Sequence, residues 1–241
     1  MTTSGKTSAP LTLAIEMTNP SVPTPGVLLA RGDQVLASRG LTQAGRHDDA
    51  LLPAIAGLFA ESDHEPSELD EVLVSIGPGG FTATRLAVVG AAVLAECCGA
   101  RVLAVPSTRV AAELAWQGGG IGQGLVVALG VKGPTAYVAR FDPVGGGSLD
   151  EGASMTHEGL ASVLLPGDGL VYEDHLPALM LEVASQGGHR CIPMRLTAEG
   201  LLGCRSAAQR VPVEALRPIY PREPDAVTQW RRRHGWAPGD A

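Results

Sequence analysis

Between Val72 and Val105 the sequence runs VLVSIGPGGFTATRLAVVGAAVLAECCGARVLAV, and few folds accept such a stretch. Val72 to Ile76 holds no polar residue larger than Ser75, so it suits a strand covered on both faces. Gly77-Pro78-Gly79-Gly80 cannot continue that strand. Glycine admits positive φ, and proline removes a donor and fixes its own φ. Thr82 is placed to cap a helix of good helix formers reaching about Cys98, and Gly99 stands where a left-handed C-terminal residue belongs. Arg101 to Val105 follows as a second buried strand, which makes the unit βαβ with a right-handed crossover.

The helix of that unit carries no charge between Arg85 and Glu96. Leu86, Val89, Gly90, Val93 and Cys97 form one stripe at helical spacing, expected to cover the chain's own sheet. The opposite stripe, Thr84, Val88, Ala91, Ala92 and Ala95, is also apolar or small. A surface helix turns polar residues outward there, so a second layer or another protein is expected on it. An earlier helix, from about His47 to Ser62, repeats the pattern. Leu51, Leu52, Ile55, Leu58 and Phe59 make its core face, and Ala50, Ala54, Gly57 and Ala60 a small-residue face suited to close packing. On this reading arginine at Ala91 or Ala95 blocks pairing, and arginine at Val93 unfolds the chain.

A length of 241 residues allows one domain or two small lobes. A formal charge of -7 argues against a general nucleic-acid binder, which needs clustered lysine and arginine. Four cysteines, two of them adjacent, make neither a disulfide framework nor a zinc spacing. The polar start lacks an apolar signal core, and no run approaches membrane-spanning length, so the cytoplasm is the expected location.

In chain order, Met1 to Pro10 reads as a disordered leader and Leu11 to Ile15 as the first strand, ended by Glu16. A proline-rich loop, Met17 to Gly26, leads to a hairpin of Val27–Ala30 and Val35–Ser38 around Gly32-Asp33. Ser107 is placed to cap a helix reaching about Trp116. The first lobe thus spans residues 11–116, and QGGGIGQG at 117–124 is a flexible joint. A second lobe over 125–220 contains a hairpin (Leu125–Val131 with Ala136–Phe141) and a loose loop at Val144–Gly147. Helices near His157–Leu165, Leu176–Gln186 and Ala198–Gln209 follow, with strands at Gly169–Glu173 and Arg190–Pro193. Residues 221–241 read as an extended tail.

Four places can carry chemistry, and each has a plainer origin. The GPGG turn resembles a phosphate cradle but lacks the G-K-[ST] and G-x-G-x-x-G endings, so a tight structural turn is commoner. Glu16 sits where α/β folds place catalytic acids, without a second acid at a useful spacing. His47 opens a helix, where capping is the usual role of a lone histidine. Arg231-Arg232-Arg233-His234, flanked by Trp230 and Trp236, can meet RNA by charge and stacking, although such runs are more often solvated.

Taken together, these residues resemble the TsaB family. IGPGGFTATRLAVVGAAVLAECCGARVLAVPS, Ile76 to Ser107, is similar to its signature GPGSFTGLR, helix, and strand ending GVSSL. LAIEMT (Leu13–Thr18) resembles its opening LAIDTS, HDDALLPAIAGLF (His47–Phe59) its first helix HSQxLLPxIxxLL, and LRPIYPRE (Leu216–Glu223) its late P-x-Y-x-R segment. The serine and glycine of GPGSFTG are Gly80 and Ala83 here, and the family's Asp-Ala-Arg segment reads Gly130-Val131-Lys132.

The resemblance implies an α/β protein of the actin-like, RNase H-like ATPase fold, with two lobes of helix-flanked sheet. It also implies a non-catalytic partner of a TsaD-type catalytic subunit that, with a TsaE-type ATPase, completes threonylcarbamoyladenosine at tRNA position 37. Such a chain pairs with TsaD, or with itself when alone, through the two small-faced helices, and meets tRNA only within the complex. No cofactor, metal or membrane is expected. Two histidines of the catalytic relatives, four apart, align with Ser107 and Ala111, which cannot hold a metal together. The competing readings are a nucleotide-dependent transferase or peptidase of the same superfold, and a divergent homodimer outside the tRNA pathway.

Overall fold

The computed structural model describes residues 9–18, 25–41, 50–119, 124–131, 133–141, 152–222 and 225–234. Most of the leader, His47, the centre of the glycine joint, Lys132, the loop at Val144–Gly147 and Trp236 lie outside them.

The first sheet grows from β1 (Leu11–Ile15), whose five residues are all buried. Antiparallel to it runs the hairpin β2 (Pro25–Arg31) and β3 (Gln34–Gly40), turning at Gly32 with φ +60. On its other side lie the parallel strands β4 (Glu71–Ser75) and β5 (Arg101–Val105). Alternation then sorts β1 by face: Leu11, Leu13 and Ile15 look one way and Ala14 the other. The first side is covered by α1 (Leu51–Ser62) and α2 (Phe81–Cys98), the second by α3 (Ser107–Gln117) and α6 (Ala198–Gly203).

The second sheet repeats this plan. A strand β6 (Gly124–Gly130) pairs antiparallel with β7 (Ala136–Phe141), which pairs with β8 (Ala153–Met155). Parallel strands β9 (Asp168–Tyr172) and β10 (Arg190–Pro193) lie on the other side of β6. The sheets read β3-β2-β1-β4-β5 and β8-β7-β6-β9-β10, with a further strand, β11 (Gln209–Val211), beyond β5. Leu125, Val127 and Leu129 meet the α3–α6 layer, while Val126, Ala128 and Val138 meet α4 (His157–Val163) and α5 (Ala178–Gln186) on the outside. The duplicated order, with helices between and around the sheets, is the expected actin-like architecture.

Four expectations change. α2 lies on the sheet with Ala83, Thr84, Ala87, Val88, Ala91 and Ala95, and Ala92 is half-buried, whereas Val89 and Val93 are 58% and 55% exposed. The face expected to meet a partner is therefore the core face. Small side chains let the helix axis approach the sheet, which larger valines would hold away. On α1, Ala54 is buried, Ala50 and Gly57 are half-buried, and Leu52, expected in the core, is 62% exposed. Among the described helices α2 is the one long and apolar enough to span a membrane, with mean hydropathy 1.5, contrary to the sequence expectation; its buried stripe belongs to the sheet.

The third change is in the second half. The helix expected over Ala198–Gln209 ends at Gly203, and after a 3-10 turn at Arg205–Ala207 the chain enters β11, antiparallel to β5. Residues around 205–211 thus belong with the first sheet, not the second lobe. Arg205 fixes this return by donating to Glu71 from Nε (2.6 Å) and Nη2 (3.0 Å). Glu71 also accepts from Arg101 Nη2 at 2.7 Å and Thr12 Oγ1 at 3.0 Å. Asp168, at the matching start of β9, is held by Arg140 at 3.1 and 3.2 Å. Fourth, the expected extended tail contains a helix, α7 (Asp225–His234).

Burial pushes the Glu71 carboxyl up, but hydrogen bonds from Arg205 and Thr12 and the charges of Arg205 and Arg101 outweigh it and hold it below 4.5. Its stabilisation is complete above that value and lost as pH falls through the lowered native value. Glu71→Gln is expected to cost about 2–3 kcal/mol at pH 7, the worth of hydrogen bonds to a charged group, and progressively less below pH 4.5. Thermal unfolding of both proteins across that range checks this.

Candidate functional site

The carboxyl ends of β1, β4 and β5 meet at one place, where open α/β sheets bind ligands. Each strand delivers a small polar group there: Thr18 after β1, Ser75 closing β4, and Ser107 opening α3 directly after β5. Ser107 is the first residue of α3 after Pro106, and its side chain makes no cap. Its Oγ donates to Thr18 Oγ1 at 3.0 Å and lies 3.0 Å from Ser75 Oγ. Thr18 in turn donates to Glu16 Oε1 from its hydroxyl and from its backbone N–H (2.7 Å). All four side chains are buried.

Glu16 Oε2 has no hydrogen-bond partner. Burial pushes the Glu16 carboxyl up, against the lowering effect of hydrogen bonds from Thr18 and Ser75. A group so enclosed is a poor general base for an outside substrate. Ala111 is fully buried in the layer between the sheets. Cys204, also in that layer, is no ready nucleophile, since burial, with Glu113 adding to it, pushes its thiol up to about 12.

The glycine turn closes over this cluster. Gly77 has φ +95, and Gly79 passes so close to the Thr18 backbone that a Cβ would collide with it. The Gly80 N–H, which a phosphate cradle would offer to an anion, donates instead to Thr18 O at 2.9 Å. Ser107 N–H donates to Gly77 O at 2.8 Å, and the Gly77–Pro78 peptide is cis. Gly80, not Thr82, is the N-cap of α2; Thr82 is exposed, and Thr84 Oγ1 donates to Gly80 O at 2.9 Å. The structure thus joins the turn to Glu16 and leaves Thr82 outside.

The segment after β11 completes the enclosure. Ile219 N–H donates to Ile76 O at 2.8 Å, and Tyr220 packs on Phe81 with ring centroids 5.1 Å apart. Ser154 Oγ of β8 donates to Pro221 O at 2.7 Å, so this segment ties the two lobes beside a cavity of about 600 Å³. Sequence reasoning missed Thr18 and the internal role of Ser75. A serine ending an otherwise apolar strand was the available signal, because a buried hydroxyl needs a partner.

A second feature lies on the outside of the first lobe. Leu52 of α1 and Val89 and Val93 of α2 are more than half exposed, and Phe81 is 45% exposed. The helices touch, since a Cβ at Gly90 would lie 3.0 Å from Leu51 Cδ2. Neither helix places a charge on this face between its first turn and Glu61 or Glu96.

A duplicated actin-like fold with hydroxyls filling its strand-end crevice defines the class. The family model described as TsaD, tRNA N6-adenosine threonylcarbamoyltransferase, matches residues 34–166, more than half of the chain. The tRNA threonylcarbamoyladenosine biosynthesis protein TsaB of Bacillus subtilis is 31% identical over 100 residues, covering 42% of each chain. An uncharacterized protein of Mycobacterium tuberculosis is 33% identical over 95 residues, covering 39% of this chain and 44% of that one. The aligned stretch thus spans less than half the length of these relatives. YeaZ from Pseudomonas aeruginosa superposes with a TM-score of 0.63 at 21% identity, covering 88% of this chain and 99% of that one. The chain belongs to the family of that TsaD model, and its fold is the one seen in YeaZ.

Because Glu16 binds its proton more tightly when folded, its favourable contribution is full below pH 4.5 and lost as pH rises through the raised native value. Glu16→Gln is therefore expected to gain stability at pH 8 relative to pH 4.5. The gain is about 1–3 kcal/mol, the range for an unsatisfied buried group. Melting curves at the two pH values measure it.

Proposed function

We propose that the chain is a non-catalytic, cytoplasmic partner subunit in the threonylcarbamoylation of tRNA. It docks a TsaD-type catalytic subunit in an assembly that also holds a TsaE-type ATPase, and it self-associates when that subunit is absent. The observation that carries this reading is the outward face of α1 and α2, where Leu52, Val89 and Val93 are 62%, 58% and 55% exposed. Burying apolar area against a partner is worth roughly 25 cal/mol per Å², and between Arg85 and Glu96 α2 carries no charge to be desolvated. The non-catalytic part is supported by Ser107 and Ala111. One is committed to a hydroxyl chain and the other to the core, at the positions that align with the metal-binding histidines of catalytic relatives.

On α2 the docking face is the reverse of the one read from the sequence, and so are the mutational consequences. Val89→Arg and Val93→Arg are expected to leave the melting temperature nearly unchanged and to abolish co-elution with the catalytic subunit of the host in size-exclusion chromatography. Ala91→Arg and Ala95→Arg bury an unpaired charge, at a cost of about 3–5 kcal/mol, and are expected to unfold the chain. Normal co-elution of both valine variants would overturn this reading.

A further inference from the structure

We propose that α7 is an RNA contact. The helix begins at Asp225 and ends with Arg231, Arg232, Arg233 and His234, so its positive charge is concentrated in the last turn, where the helix carbonyls favour cations. The chain as a whole carries a formal charge of -7, so the positive charge of α7 stands against an acidic background that repels a polyanion. Trp230 is 50% exposed, and its ring stacks on His234 with centroids 4.7 Å apart and planes 25° from parallel. The stack is fixed from below, because His234 Nδ1 lies 2.8 Å from Trp230 O.

Residues 230, 233 and 234 share one helix face, so the stacked rings and the exposed Arg233 stand side by side. That combination suits single-stranded or loop RNA, where guanidinium groups take phosphates and flat rings take unpaired bases. The identity of the RNA as tRNA rests on the function proposed above; the contact itself does not.

The test uses the full chain and a fluorescein-labelled, unmodified tRNA transcript, with anisotropy titrations at several salt concentrations. Replacing Arg231, Arg232 and Arg233 together by glutamine is expected to weaken binding at least tenfold and to reduce the slope of log affinity against log salt by about 2. Trp230→Ala is expected to weaken binding about fivefold with the slope unchanged. A wild-type chain that does not bind the transcript, or a triple variant with unaltered affinity and slope, overturns the proposal. So does a triple variant that keeps its tRNA affinity but no longer co-elutes with the catalytic subunit, which would make α7 a protein-docking helix. If the wild-type chain binds tRNA in this way but never co-elutes, the RNA contact stands and the partner-subunit reading falls.

Discussion

Four alanines spaced four apart on α2, at positions 83, 87, 91 and 95, set the first lobe. Together they make a single ridge of minimal height along the helix, and the faces of β4 and β5 that carry Val72, Val74, Val102 and Ala104 close directly onto it. A helix held this near the sheet fixes where its first residue must be, and hence the path of the glycine turn that joins it to β4. The turn then dictates the rest. It passes over Thr18 at a distance only glycine permits, draws the start of α3 against it through Gly77, and seals the strand ends.

That seal fills the strand ends from within, where a ligand-binding sheet has an open crevice. Such a crevice keeps donors and acceptors free for a ligand. Here Ser75, Ser107, Thr18 and Glu16 satisfy one another in sequence, and a single carboxylate oxygen is left over. Buried polar chains of this kind confer rigidity when fully matched and penalise any that is not.

Much of the architecture was legible in the residues. Buried β-branched runs separated by a glycine turn specified the βαβ unit, and the hairpin at Gly32-Asp33 and the strand at Arg190–Pro193 lie where their patterns place them. The core face of α1 lay where its periodicity put it, Leu52 excepted, but the face of α2 was not legible, because both sides of that helix are apolar and a hydrophobic stripe cannot then tell inside from outside. On α2 the alanine-rich stripe went in and the larger Val89 and Val93 came out. Strand β11 and the shortened α6 escaped notice because Arg205 acts through Glu71, far away in sequence, and no local pattern announces a long-range ion pair. The hydroxyl chain was equally hidden, since its members come from three separate strand ends.

The return of the chain through β11 has a further meaning for how the two halves can move. A polypeptide that crosses once between lobes permits them to swing freely, but this one crosses after α3 and crosses back after α6. The two crossings, with the α3–α6 layer that both sheets share, restrain the halves relative to each other. Cutting after Gln117 would therefore not release a self-sufficient front half. It would strip the outermost strand from the first sheet and leave the hydrogen-bonding edge of β5 bare, inviting association with whatever extended chain lay nearby.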